Sequence, residues 1–181
     1  MKTTFTLVLV TLWAGLLISC KQGENKSEST LSEKTPQQAN ASGKLVTQET
    51  FNRAETDRKF FEVTRLAGGV NKFFHFRGLV PLDKQTVVRM NRDVLYSGAI
   101  VDVEKGATVT FPEMPKGRYA SLLLIDNDHY CPQVIYKPGK HPLPQDTKYL
   151  GVALRIQIFD PNDTAEIALI NKLQDQFVIE S

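Results

Sequence analysis

The segment from Tyr119 to Asp126 most strongly limits the folds open to this chain. It is short, and it carries apolar side chains on both alternating faces, with Leu122 and Leu124 on one and Leu123 and Ile125 on the other. A strand that is apolar on both faces is usually covered on both sides. We therefore expect this segment to be a central strand of a sheet.

Several other short segments have the composition of strands, and turn sequences separate them. The strand candidates are residues 87–90, 95–103, 107–111, 130–136 and 151–159. The turn sequences are Glu104-Lys105-Gly106, Pro115-Lys116-Gly117 and Lys137-Pro138-Gly139. Short strands at this regular spacing are typical of an antiparallel β-sandwich or a rolled sheet.

Helical patterns occur on both sides of these strands. Residues 47–67 place apolar side chains at helical spacing, and Gly68-Gly69 supply a stop signal. Near the other end, Asp163 and Glu166 have the spacing of a capping box, which indicates a C-terminal helix. The predicted fold class is mainly β with flanking helices (α+β).

The first 19 residues have the features of an export signal. Lys2 precedes an apolar run from Phe5 to Ile18, which is too short to span a bilayer. Leu17-Ile18-Ser19-Cys20 resembles the lipobox of bacterial lipoproteins, in which the peptide is cut before the cysteine and that cysteine carries the lipid. An ordinary secretory peptide is the alternative. We expect lipidation at Cys20 and a membrane-anchored protein of the bacterial cell envelope, on its periplasmic or surface face.

The remaining chain divides into a tether and one domain. Residues 20–44 are rich in Ser, Glu, Lys, Gln and Asn and contain one large apolar residue, Leu31. Such a segment buries too little surface to offset its ordering entropy, so we expect a disordered tether. Residues 45–181 are long enough to form a single β-rich domain with its own core.

Charge and cysteine content exclude some functions. The formal net charge of +2 is spread along the chain without a basic stripe, which argues against nucleic-acid binding. With Cys20 lipidated, Cys131 has no partner for a disulfide, and we expect it to be buried rather than nucleophilic.

Polar residues concentrate in two segments of the domain. Residues 87–97 interrupt an apolar pattern with charged and amide groups, and residues 126–130 add two carboxylates, a histidine and a tyrosine. Buried polar groups cost about 1–3 kcal/mol each when they lack hydrogen bonds, so such clusters must be organised. We expect both segments to meet in one cleft lined by Arg89, Asn91, Arg92, Asp93, Tyr96, Asp128, His129 and Tyr130.

Three motifs resemble a known family. Residues 88–97 (VRMNRDVLYS), Gly117-Arg118-Tyr119 and Asp128-His129-Tyr130 resemble the bacterial domain of unknown function 1254. The resemblance also covers the turn at residues 136–139, Asp160-Pro161-Asn162-Asp163 and Leu173-Gln174-Asp175, so it extends from about Phe74 to Gln176. It implies an exported, β-rich protein. Many members have two domains, whereas this sequence ends after the first, and Val94 stands where the family often has Thr.

The sequence was compared with the patterns of three known kinds of site: a serine nucleophile, a calcium loop and a zinc site. Ser97 lacks the glycine that precedes a nucleophile elbow and shares a face with Ala99 and Val101, so we expect a buried structural hydroxyl. Asp126-Asn127-Asp128 starts like a calcium loop, but Cys131 and Lys137 occupy positions that need Gly and Glu. No zinc spacing occurs, and His75 joins Asp128 and His129 only if the fold brings them together. We therefore expect no metal and no cofactor.

The preferred interpretation is an envelope lipoprotein that binds a small polar or anionic ligand in the cleft. Arginine recognises carboxylates through paired hydrogen bonds, and tyrosine provides a stacking surface. The second interpretation is an ester or glycoside hydrolase with His129 as the base and Asp93 or Asp128 as its orienting partner. The third is a non-catalytic module that docks another envelope protein.

Overall fold

The computed structural model describes residue 43, residues 45–85 and residues 89–181. The expected signal sequence, Cys20 and nearly all of the expected tether lie outside these residues. The elements in chain order are α1 (Phe51–Ala67), β1 (Lys72–His75), a short 3-10 turn (Leu82–Lys84), β2 (Val94–Asp102), β3 (Thr108–Phe111), β4 (Ala120–Asp126), β5 (Val134–Ile135), β6 (Gly139–Pro142), β7 (Tyr149–Gln157), α2 (Thr164–Gln174) and β8 (Val178–Glu180).

The strands form two antiparallel sheets. The larger sheet has the order β1-β2-β7-β4-β5, and the smaller one has the order β6-β3-β8. β7 is the centre of the larger sheet, because it pairs along its whole length with β2 and over most of its length with β4. The expected fold class, mainly β with helices on both sides of the strands in sequence, is therefore confirmed.

One apolar core joins the two sheets and α2. The inner face of the larger sheet contributes Leu95, Leu122 and Leu154, which are almost fully buried. Phe111 of the smaller sheet and Ile170 of α2 belong to the same cluster. Burying a large apolar side chain stabilises the fold by about 1.5–3 kcal/mol, so this shared cluster is the main force holding the sheets together.

α1 packs on the outer face of the larger sheet at positions occupied by glycine. A Cβ atom on Gly151 would lie 2.8 Å from Cε1 of Phe60, and one on Gly98 would lie 3.4 Å from Cγ1 of Val63. The missing side chains allow the helix to approach the strands closely. Because α1 lies over Gly98, Ile100 and Gly151, it covers one half of this face.

A buried ion pair attaches α2 to the larger sheet. The guanidinium of Arg118 donates to both carboxylate oxygens of Glu166, at 2.7 and 3.0 Å, and also to the carbonyl of Gln157. These hydrogen bonds lower the pKa of Glu166. The expected capping box is not formed, because Glu166 is engaged by Arg118 and accepts from the Phe159 amide, while Asp163 alone caps the helix through the Ala165 amide.

Several expected boundaries differ from the structure. The helix begins at Phe51 rather than Thr47, and the segment at 130–136 is a strand only at Val134–Ile135. The first strand candidate was residues 87–90, of which the structure describes residues 89 and 90. These two residues are not in a strand, so the prediction is wrong for them. Leu122 and Leu124 of β4 are fully buried, whereas Leu123 and Ile125 on its outer face are half-buried.

Candidate functional site

The two polar segments lie at opposite ends of the larger sheet. Val94, which follows Arg92 and Asp93, pairs with Gln157 of β7, whereas Asp126 pairs with Leu150. These two β7 positions are seven residues apart, and seven residues of strand span about 23 Å. The expectation that residues 89–97 and 126–130 form one cleft is therefore wrong.

The turn at residues 126–130 is fastened to the first half of α1. Arg53 donates to the carboxylate of Asp128 at 2.6 Å, and the side-chain amide of Asn127 donates to the carboxylate of Asp57 at 2.7 Å. The hydroxyl of Thr56 contacts the ring of His129. We call these three contacts the helix latch. Inside the turn, the carboxylate of Asp126 accepts from the backbone amides of residues 128 and 130. These polar residues therefore hold structure at this end of the sheet.

His129 has a defined tautomer within this latch. Its Nδ1 atom lies 2.8 Å from the hydroxyl oxygen of Thr56, and that hydroxyl donates its proton to the carbonyl of Asn52 at 2.8 Å. Nδ1 must therefore be the donor in the first contact, which leaves Nε2 unprotonated in the neutral ring. The residue has a positive φ of 71°, a backbone conformation that the turn imposes on it.

The hydrolase interpretation loses both of its orienting carboxylates. Asp128 pairs with Arg53, and Asp93 lies at the far end of the sheet, where its carbonyl accepts from the Ile158 amide. Thr56 occupies the position that a carboxylate would need beside Nδ1 of His129. The assignment of Asp93 or Asp128 as the partner of His129 is therefore wrong.

His75 belongs to a third, separate location. Its Nδ1 atom lies 2.8 Å from the hydroxyl of Ser97, which also accepts a hydrogen bond from the side chain of Gln174. Ser97 is 4% exposed, which confirms the expected buried hydroxyl, and Gln174 is fully buried. Burial lowers the pKa of His75, and the nearby charge of Arg77 lowers it further. His75 therefore does not join Asp128 and His129.

Arg89, Asn91, Arg92 and Asp93 are exposed, and the described residues around them enclose only a small hollow. Arg89 has a positive φ of 61°, and Arg92 makes a long contact of 3.5 Å to the Val80 carbonyl. Asn91, Arg92 and Tyr96 line a hollow of about 10 Å³. A hollow of that volume holds at most one water molecule, so a larger ligand has no room inside it.

A different set of polar residues crosses the outer face of the larger sheet, in the half away from the α1 contacts at Gly98 and Gly151. Tyr96 of β2 pairs with Arg155 of β7, and Arg155 pairs with Ser121 of β4. Cross-strand partners share a face, so extending the β4–β5 register by one residue places Tyr136 beside Ser121. We call Tyr96, Arg155, Ser121 and Tyr136 the arginine row.

Arg155 is the charged centre of this row. Its guanidinium carbon lies 5.6 Å from the centre of the Tyr96 ring, within the range of a cation–π interaction. Its Nε atom is buried without a hydrogen-bond partner among the described residues. Sequence reasoning identified Tyr96 but missed the other three residues, because their proximity depends on how three distant strands pair.

Cys131 is exposed rather than buried, so that expectation is wrong. It follows the latch turn directly, where the chain leaves the sheet before β5, and this explains its exposure. Among the described residues, no three His, Cys, Asp or Glu side chains converge to hold a metal ion. Within the same residues, no helix has the length and apolar content needed to cross a bilayer.

Comparison with known proteins gives a family match over part of the chain and a similar fold. Residues 70–142 match the family described as "Protein of unknown function (DUF1254)", which confirms the resemblance for the motifs up to residue 142, whereas the motifs at 160–163 and 173–175 lie beyond the match. The crystal structure of the VPA0106 protein from Vibrio parahaemolyticus is similar, with 18% sequence identity and a TM-score of 0.57. The similarity covers 74% of this chain and only 36% of that one, and at this identity it concerns the fold alone. No curated protein gives a match.

Proposed function

We propose that this protein, whose residues 70–142 carry the DUF1254 match, is an envelope lipoprotein that binds a small anionic ligand on the arginine row. The proposal depends on one observation. Arg155 lies half-buried on the outer face of the larger sheet beside the ring of Tyr96, and its buried Nε atom has no hydrogen-bond partner in the described residues. A guanidinium in this position can bind a carboxylate through paired hydrogen bonds.

Four other arginines of the domain differ from Arg155 in their contacts. They form ion pairs with carboxylates, and each of these pairs connects or stiffens helices, strands or turns. They are Arg53, Arg58, Arg77 and Arg118. Like Arg65, Arg89 and Arg92, Arg155 forms no ion pair among the described residues, and its guanidinium lies over the ring of Tyr96. An external anion is therefore a suitable partner for it.

The partial exposure of Arg155 limits the expected affinity. An exposed ion pair contributes about 0.2–1 kcal/mol, and a favourable bidentate hydrogen bond to a charged group contributes about 1.5–3 kcal/mol. A dissociation constant of about 1 mM corresponds to about 4 kcal/mol. We therefore expect millimolar binding of simple anions.

The test is a titration of the full-length protein in detergent with sodium acetate, at constant ionic strength maintained with sodium chloride. Binding to the folded state raises the melting temperature by mass action. We expect acetate to stabilise the wild type and not Arg155→Gln. Lys105→Gln is the matched control, because it removes one positive charge from an exposed turn next to Asp102, at the other end of β2. Equal stabilisation of the wild type and Arg155→Gln would contradict the proposal.

A further inference from the structure

We infer that protonation of His75 in mild acid releases residues 171–180 from the inner side of the domain. These residues comprise the last turn of α2 and the strand β8, and we call them the clasp. His75 ends β1, which is an edge strand of the larger sheet, and its side chain is half-buried. This inference concerns a pH-sensitive device in the fold and does not depend on the arginine row.

Gln174 connects the clasp to the two strands that hold His75. It is fully buried, and its side-chain nitrogen donates to the carbonyls of Phe76 and Tyr96, at 3.2 and 3.3 Å, and to the hydroxyl oxygen of Ser97 at 3.0 Å. The Nδ1 atom of His75 lies 2.8 Å from that same hydroxyl oxygen. The Ser97 hydroxyl therefore links the histidine directly to the clasp.

The hydrogen bonds of this hydroxyl depend on the protonation state of His75. Its oxygen accepts from Gln174, so its own proton points to an unprotonated Nδ1 when the ring is neutral. In the protonated ring Nδ1 becomes a donor and faces the same oxygen. The hydroxyl proton then has no acceptor among the described residues, and Ser97 is only 4% exposed. Because an unpaired buried donor is unfavourable, protonation weakens this attachment of Gln174.

The charges around His75 also favour release in acid. Arg77, which follows β1, disfavours a charged ring, whereas Asp175 at the end of α2 favours one; β2 contributes the uncharged Ser97. Desolvation has the largest effect and lowers the pKa of His75, Arg77 lowers it further, and Asp175 offsets part of the change. Opening of the clasp returns the ring to water, so the open state binds the proton more strongly than the closed state.

The clasp can open without unfolding the rest of the domain. The first turn of α2 has its own attachment to the larger sheet, the buried ion pair of Arg118 and Glu166. The clasp is held by Gln174, by the buried ring of Phe177 and by a three-residue strand that is paired on one side. Segments with few buried contacts open locally at a lower free energy than the central strands of a domain. We therefore expect β2, β4 and β7 to stay paired when the clasp opens.

Hydrogen exchange of the full-length protein in detergent tests the inference at about pH 7.5 and about pH 5.5. Exchange rates corrected for the intrinsic effect of pH give the opening constant of each amide. We expect the opening constants in the clasp to rise about two- to tenfold at the lower pH, because a histidine that regains its ordinary pKa near 6.5 on opening changes the equilibrium by at most about tenfold per pH unit. Opening constants in β7 are expected to stay unchanged. An unchanged clasp, or an equal rise in β7, would overturn the inference.

Variants of two histidines show which ring is responsible. His75→Asn and His75→Gln both remove the titrating ring and keep an amide that can pair with Ser97, and one folded variant of the two is sufficient. We expect the same clasp opening constant at both pH values in these variants. His129→Asn is the matched control, because it removes a histidine from the helix latch and Asn tolerates the positive φ there. Acid opening that persists without His75, or that disappears in His129→Asn, would contradict the assignment.

Discussion

His75 carries the polar chemistry of the inner side of the domain. It contacts Ser97, and Gln174 of α2 donates to the same hydroxyl and to the carbonyls of Phe76 and Tyr96. Arg77, two residues after His75 in the chain, donates to the carboxylate of Asp175. A network of this kind is stable because each buried group has a partner, and protonating the histidine would place a charge next to a guanidinium.

The free energy of unfolding is expected to decrease as the pH is lowered, because of His75. Its pKa is lower in the folded protein than the ordinary 6.5, so the folded state favours the neutral ring. The stabilisation is complete above about pH 6.5 and is lost as the pH falls towards the folded-state value. Urea unfolding between about pH 7.5 and about pH 5 should show a smaller loss for His75→Asn than for the wild type. Identical slopes would exclude this role.

Sequence alone predicted some residue environments and failed at others. Ser97 could be placed correctly because strand alternation puts it on the same face as Ala99 and Val101. Cys131 could not, since its exposure depends on a turn whose path is set by contacts with α1. Tyr96 was visible as a polar aromatic residue, but nothing local indicates that Arg155 lies beside it.

Packing of α1 on the larger sheet depends on two glycines at the contact. Gly151 lies under Phe60 and Gly98 lies under Val63. Helical periodicity was enough to predict α1, but it did not predict the residue at which the helix begins or the sheet face on which it packs. The strands β6 and β8 were missed because they are edge strands of only four and three residues, and β6, with the sequence Gly139-Lys140-His141-Pro142, is also polar.

Gly151→Ala is expected to destabilise the protein, whereas Gly98→Ala is not. A Cβ at residue 151 would lie only 2.8 Å from the Phe60 ring, so the helix or the ring must shift. Overpacking of this kind costs about 1–3 kcal/mol. At residue 98 the contact would be an ordinary 3.4 Å, and alanine loses less backbone entropy than glycine. The two urea midpoints give the comparison, and equal midpoints would contradict this account of α1 packing.

The whole domain is closed by its last residues. Phe177 is 5% exposed and packs edge-on against Phe111, and β8 then pairs with β3 to complete the smaller sheet. Pairing between residues so distant in the chain has no local sequence signal. The same limit explains the failure to predict the site, because the relative positions of Asp93 and His129 depend entirely on the register of β2 and β4 against β7.

At the level of the intact protein, we predict attachment to a membrane through Cys20. Metabolic labelling with a palmitate analogue should modify the wild type and not Cys20→Ser, since acyl chains on this residue supply the anchor. Cys131→Ser is the matched control, because Cys131 is exposed and remains a possible acceptor of label. Label retained in Cys20→Ser and lost in Cys131→Ser would disprove the assignment.

The position of the helix latch has a mechanical consequence. The chain enters the domain at residue 45, next to the first turn of α1, and the latch residues Arg53, Thr56 and Asp57 come before Phe60 in the helix. Tension transmitted along the preceding segment would therefore load three polar contacts first, one after another. The apolar contact between Phe60 and Gly151 would bear force only after these three polar contacts had broken.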